Sequence, residues 1–435
     1  MEPLLQSNPA PLCDEKAIRF LKNPAAWLRR KKLSQGFWVV FAAAFFFDFG
    51  ILIYVFMFNL YLLDLQFNDR SIGLVNGAAM LGSVAGTLPA GLLARKIGIR
   101  PVLIACFVIA PLLCVLRAMA TGEAWQIILG FLSGLAMCSW GVCLLPAVAR
   151  TTTEANRASA FSLILSAGVG TGIFGGVVCG YLPQWLNRAG FGMQPIEVKR
   201  LILFASSGIA ALGLLAALRL RLPPLQAGMP IGTLAENRTW RRFLRVDRFL
   251  FRFLPAMALW TVVVTSFTPF ANVYLSRDLH VPLLRIGLVF SAAQVTQLCV
   301  TLLSPMVFRI LGTVKGVVAT QLLTAVALGF LAGTQNAQVA VVLYLVFFGM
   351  QWMSSPGLYN LLMSKVSEEE QTNASSMALF CNALVGAAST AGAGALFLRF
   401  GYPHVLTGIA VLAVVAALLF WSLVGPMDRS VPVGL

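Results

Sequence analysis

Charge is what this sequence has least of. Asp, Glu, Lys and Arg make up 11% of its 435 residues and hydrophobic residues 59%, whereas globular domains carry roughly a quarter charged residues. So little charge cannot clothe a water-facing surface, which excludes a sizeable soluble domain. Histidine is scarcer still: His280 and His404 stand alone, each at the end of an apolar run. Two isolated imidazoles make neither a metal site nor an acid–base pair, and no convergent acid, base or metal cluster of an enzyme is visible. The eight cysteines show no paired C-x-x-C spacing, so neither a disulfide framework nor zinc is indicated. A Walker-type glycine loop is missing too, which argues against a nucleotide-driven pump. No cofactor is implied.

What the chain does have is long apolar runs. A hydrocarbon core about 30 Å thick needs about 20 apolar residues per helix, and twelve such runs are present, at 36–63, 71–94, 101–120, 124–149, 158–182, 200–218, 253–275, 284–308, 316–333, 338–363, 374–398 and 403–425. They are continuous rather than alternating, which favours helices over a transmembrane β-barrel. The expected fold is an all-α integral membrane bundle. Residues 1–34 lack a signal-peptide core ahead of Arg29, Arg30, Lys31 and Lys32, so the first span is expected to remain as an uncleaved anchor.

The net charge of +16 is a matter of topology. When loops are assigned alternately to two sides, 24 of the 32 Lys and Arg fall on the side of the N-terminus, leaving 8 opposite. By the positive-inside rule both termini are expected in the cytoplasm, with the protein in a bacterial inner (plasma) membrane and its basic loops drawn to anionic lipid. Nucleic acid is not an expected partner.

The Pro- and Arg-rich stretch 221–252 separates six spans from six. The expected organisation is a segment 1–34, a bundle 35–220, this linker, a second bundle 253–425 and a tail 426–435. An offset of 214 aligns the halves: IGLVNGAAMLGSVAGTLPAGLLARKIG at 72–98 matches IGLVFSAAQVTQLCVTLLSPMVFRILG at 286–312 at ten of 27 positions without a gap, including Gly73/Gly287, Arg95/Arg309 and Gly98/Gly312. The chain is a duplication.

With that repeat the chain resembles the major facilitator superfamily, whose two six-helix halves are related by an axis along the membrane normal. The family's loop motif G-x-x-x-D-R-x-G-R-R is similar to GLLARKIGIR, with Gly91, Lys96, Gly98 and Arg100 in register and Arg95 in place of the Asp. GVGTGIFGGVVCG at 168–180 is similar to the glycine motif of the family's antiporters, with Gly172 where they carry Pro. Gly130 stands where many exporters have Arg. The resemblance implies twelve helices in two pseudo-symmetric bundles, alternating access and a monomer.

Within the apolar runs, polar residues stand out. Asp48 in FFFDFGILIYVFMFNL lies about twelve residues into the first span, near the midplane, where a carboxylate is costly unless it faces water or a partner. Desolvation disfavours its charged form, and Asp48 is the expected proton-coupling residue. Asn59 shares its face, eleven residues being close to three helical turns. The seventh span repeats the pattern in Thr261, Thr265, Thr268 and Asn272. Gln294 and Gln297 stripe the eighth, Gln351 and Trp352 sit in the tenth, and Asn382 in the eleventh. Together these are the expected substrate lining: amides, hydroxyls and aromatics around one acid, suited to neutral, amphipathic or cationic ligands. Any single member is more often an interhelical hydrogen-bond partner than a substrate contact; it is the stripes as a set that describe a cavity.

On the N-terminal side, Arg95, Lys96, Arg100 and Arg309 are expected to form a gate with acids ahead of the fifth and eleventh spans, the alternative being solvated loop charges that fix topology. Expected gate pairs are Arg95 with Glu370 and Arg309 with Glu154.

These features together point to a proton-coupled secondary transporter of a small organic molecule, leaning to export by antiport of a hydrophobic or cationic compound. Uptake of a sugar or other neutral metabolite by symport is the alternative. A non-transporting receptor or scaffold is a remote one, since it would be expected to shed the polar stripes.

Overall fold

The computed structural model describes residues 33–189, 192–221, 248–366 and 371–428. All long elements are helices: α1 (Gln35–Asp64), α2 (Asp69–Ile97), α3 (Ile99–Met119), α4 (Glu123–Thr151), α5 (Glu154–Arg188), α6 (Pro195–Arg219), α7 (Arg248–Phe267, carried on past a 3-10 turn at Thr268–Phe270 by Ala271–Arg277), α8 (Leu283–Leu311), α9 (Thr313–Gly333), α10 (Ala337–Ser364) and α11 (Gln371–Asp428). Eleven segments among the described residues are long and apolar enough to cross a membrane. Residues 222–247 of the linker and the tail beyond Asp428 lie outside the described residues.

The expected spans at 374–398 and 403–425 form one helical stretch of 58 residues, broken at Gly401 by φ 74° and ψ 166°. Its contacts with α7 trace a reversal there. Asn382, Ser389 and Phe397 meet Thr261, Thr265 and Phe270 in ascending order; Tyr402 then meets Tyr274, and Phe420 is back beside Phe253. The left-handed backbone that makes this corner is open to glycine without a Cβ penalty. The duplication repeats the device at Gly98 (φ 94°) and Gly312 (φ 79°), which turn α2 into α3 and α8 into α9.

Helix starts are chemically marked. Ser34 accepts the Phe37 N–H and donates to the Thr151 carbonyl of α4, and Asn68 and Asn336 cap α2 and α10. Tyr54 and Tyr61 of α1 donate to the Cys114 and Ala118 carbonyls of α3. Gly50 lets α1 lie directly on the backbone of α6 at Ser206 and Ala210, which accounts for a glycine two residues after Asp48.

The membrane face on which α1 begins is called the near face, its opposite the far face. One hydrophobic core runs through the second half of the chain and into the far-face end of the first. A separate core around Phe37, Phe47, Phe107, Trp140 and Ala147 fills the near-face end of the first half alone. The halves are thus joined toward the far face. Glycines report the same gradient: an added Cβ at Gly73 or Gly77 of α2 would strike α11, and one at Gly176 or Gly180 of α5 would strike α8, whereas at Gly91 and Gly168, nearer the other face, it would meet nothing within 4 Å.

Candidate functional site

Asp48 sits at the middle of α1, half-buried, and its Oδ1 accepts a hydrogen bond of 2.8 Å from the indole Nε1 of Trp140 on α4. It lines a narrow crevice between α1 and α5 with Phe41, Ala44, Phe45, Ile164, Ala167, Gly168 and Thr171. Phe41, Phe45 and Phe49 form a ladder of neighbouring rings along α1 that ends against Phe174 of α5. A carboxylate with one fixed donor, apolar walls and an open side can take up a proton or face a cation.

The expected lining residues divide into three groups. In the second half, Thr261 donates to Asn382 Oδ1 at 2.8 Å, Thr265 and Ser389 share a hydrogen at 2.6 Å, and Thr268 donates to Gln351 at 3.3 Å. Pro269 explains part of this arrangement. It lacks the N–H that would bond the Thr265 carbonyl, and the hydroxyl of Thr390 supplies it at 3.0 Å. These hydroxyls and amides tie α7 to α10 and α11. Gln294 and Gln297 are half-buried on α8, with Gln294 seated against Gly172 of α5. Trp352 is exposed beside Phe348.

Asn59 and Asn272 form a third group, at the contact between the halves. Asn59 donates to the Pro269 carbonyl at 2.7 Å, and Asn272 donates to the Phe56 carbonyl at 2.9 Å. Each amide, one on α1 and one on α7, thus reaches the carbonyl three residues before its counterpart, an exchange related by 213 positions, one residue from the register of the repeat. Asn76 of α2 donates to the Asn59 oxygen at 3.0 Å. In this state the two asparagines bond helix to helix across the halves, because a buried amide is satisfied most cheaply by a facing carbonyl.

Nearer the far face, Asp69 at the start of α2 is buried to 1% exposure. One oxygen is paired with Arg277 at the end of α7 at 2.7 Å; the other accepts from Tyr402 at 3.0 Å. The Arg277 guanidinium lies 5.4 Å from the Tyr402 ring centroid and 3.3 Å from Asp278. Partial burial raises the Asp278 carboxyl above its usual range, opposed by Arg277. A sequence reading that treats acids at helix ends as solvated loses Asp69, which belongs to a latch between the halves. It also misses Arg117 near the end of α3, buried to 6% exposure with its guanidinium 4.0 Å from the centre of the Phe58 ring. Burial and membrane depth are different quantities. No spacing rule could have found Trp140, since its pairing with Asp48 spans 92 positions.

At the near face, Arg100 donates to the Leu218 carbonyl at 2.7 Å, capping the end of α6 in its own bundle. The last carbonyls of α6 need a donor, and Arg100 supplies one. Lys96 and Arg309 are exposed and Arg95 is half-buried. Glu370 and the side chain of Glu154 lie outside the described residues, so both expected pairs do as well.

A family model described as Major Facilitator Superfamily matches residues 40–390. No curated protein sequence matches the chain. Among solved structures, the chain is similar to the nucleoside transporter NupG (TM-score 0.70, 16% identity, 89% of this chain and 99% of that one). It is similar to a bacterial homolog of the human lysosomal transporter Spinster in an inward-facing, unoccupied conformation (TM-score 0.72, 15% identity, 91% and 98%). The D-xylose–proton symporter also matches (TM-score 0.67, 16% identity, 88% and 96%). At such identities the likeness is one of fold.

Proposed function

The chain belongs to the major facilitator superfamily, and from that membership we propose a proton-coupled secondary transporter that carries a small organic molecule by alternating access. The observation that supports this reading is Asp48. Among the described residues it is the carboxylate at midspan, on a helix of the central path, with an open crevice on one side and a single neutral donor on the other. Intramembrane ionisable groups of this kind mark ion and substrate pathways.

Alternate protonation of Asp48 removes and restores the negative charge that holds the empty carrier or a cationic cargo. Export of a hydrophobic or cationic compound fits the rings of Phe41 and Phe45 beside the acid. Uptake of a neutral metabolite by symport is favoured by a different observation, the hydroxyl and amide groups of Thr265, Thr268, Gln351 and Asn382, which suit a polyhydroxylated ligand. With the near face cytoplasmic, as the basic loops suggest, the arrangement is the one closed toward the outside, and the protein acts as a monomer in a bacterial inner membrane.

Proteoliposomes loaded with a pH dye and offered metabolites and drugs in turn test this reading. Substrate-dependent proton movement in the wild type that vanishes in Asp48→Asn is the expected result, and its sign separates antiport from symport. Coupled proton flux that persists in Asp48→Asn would remove Asp48 from the mechanism.

A further inference from the structure

Trp140 belongs to no motif, yet among the described residues it is the side chain hydrogen-bonded to Asp48. Its indole is held in place: the ring is 9% exposed, 5.4 Å from the rings of both Phe47 and Phe107, which themselves lie 4.8 Å apart. The donor is therefore fixed by packing on the core of the first half and not by Asp48 itself.

An indole N–H donates and never accepts. Oδ1 of Asp48 receives that hydrogen at 2.8 Å; the hydroxyl oxygen of a carboxylic acid is a poorer acceptor than its carbonyl oxygen, so the bond favours placing the proton on Oδ2. Oδ2, which no donor among the described residues holds, is the oxygen left for the crevice lined by Ile164, Gly168 and Thr171 of α5. No charged side chain on α1, α4, α5 or α6 acts on Asp48 among the described residues, and the ionisable groups around the indole are the buried thiols Cys106 and Cys143.

We infer that Trp140 is a positioning residue of the proton site: it fixes the orientation of the Asp48 carboxyl, reserves Oδ1 as an acceptor, and leaves Oδ2 as the atom that takes up and releases the proton through the α1–α5 crevice. The inference rests on reading Asp48 as the proton site, and the experiment separates the two. A single step is involved, the transfer of one proton from water in the crevice to Oδ2 and its return, so nothing else is consumed.

The test is infrared difference spectroscopy of the full chain in lipid, following the carboxyl C=O band across pH, with Asp48→Asn to assign it. Two replacements remove the N–H and keep the packing: Trp140→Phe, and the benzothiophene isostere of the indole at position 140. Loss of a donor to the charged form is expected to move the titration midpoint of the Asp48 band up by about one pH unit, the tenfold change that corresponds to a charge-assisted hydrogen bond. The band should also shift in frequency, because its C=O no longer accepts. If the band disappears in Asp48→Asn but both replacements leave its midpoint and frequency unmoved, Trp140 has no such role and the proton site stands. If Asp48→Asn removes no titrating band, the reading of Asp48 itself is overturned.

Discussion

The two seams that join the halves toward the far face are built on opposite principles. Between α5 and α8 the seam is made of absence: Gly176, Gly180 and Gly287 bring backbone against backbone, and Ser291 donates to the Ile173 carbonyl at 2.6 Å. Between α2 and α11 close approach at Gly73 and Gly394 is topped by ionised groups, with Asp69 held by Arg277 and Tyr402. The duplication aligns α2 with α8 yet supplies the latch once. Asp64, which stands near the place equivalent to Arg277, is spent inside its own half on Lys199 at 2.7 Å. One seam is therefore set by shape and the other by shape plus charge. A membrane interior rewards the first through dispersion and close packing, while the second opens to control by whatever competes for Asp69.

The largest effect is expected where shape alone acts. In Gly176→Leu the added side chain falls on Ser291 and the Gly287 carbonyl. Far-face closure should then be blocked and transport reduced roughly tenfold or more, as overpacking by about 1–3 kcal/mol implies. Accessibility of cysteines engineered at the far ends of α5 and α8 reports it, and unchanged accessibility would mean that this seam yields as easily as a charged one.

Next comes Asp69→Asn, which leaves the size and removes the charge. Because the Arg277 side chain is 38% exposed, the pair is partly screened, and the change should favour the far-face-open state by about 1–2 kcal/mol. Spin-label distances between α2 and α7 read the shift, and high salt should mimic it only in part, since Asp69 itself is buried.

The reciprocal amides give a sharper comparison. Asn59→Ala and Asn272→Ala should each weaken closure by about 1 kcal/mol, with similar size because the geometry is shared. Asn76 donates to Asn59 as well as to the Ile72 carbonyl of its own helix, so any inequality should make Asn59→Ala the costlier of the two. A larger effect at Asn272 would break the symmetry argument.

Smallest of all should be the near face. Arg95→Glu is expected to alter transport by the equivalent of about 0–1 kcal/mol, with recovery on adding Glu370→Arg. If the second change restores nothing, the expected pairing there is wrong.

The sequence carried the fold in its apolar runs and its repeat, because both depend on periodicity along one strand of chain. Gly98 and Gly312 were visible as partners for the same reason, and each makes the same turn. Asp48 could be singled out because an acid amid thirteen apolar neighbours is anomalous wherever it points. What the chain could not disclose were the pairings made in space. That Asn59 has the Pro269 carbonyl opposite it, that Arg277 and Tyr402 close over Asp69, and that the end of α6 lies within reach of Arg100 could not be read along the chain. Residues with several polar options are decided by which backbone happens to arrive beside them.

The exchanged bonds of Asn59 and Asn272 carry a further consequence. Since each strap is anchored on the other's helix within one turn, α1 and α7 cannot slide or tilt apart at one point while staying fastened at the other. Both let go within the same small displacement, or neither does. In a carrier that works by alternating access, straps paired in this way would favour letting go together over lingering half-unlatched, where small ions would slip through unaccompanied.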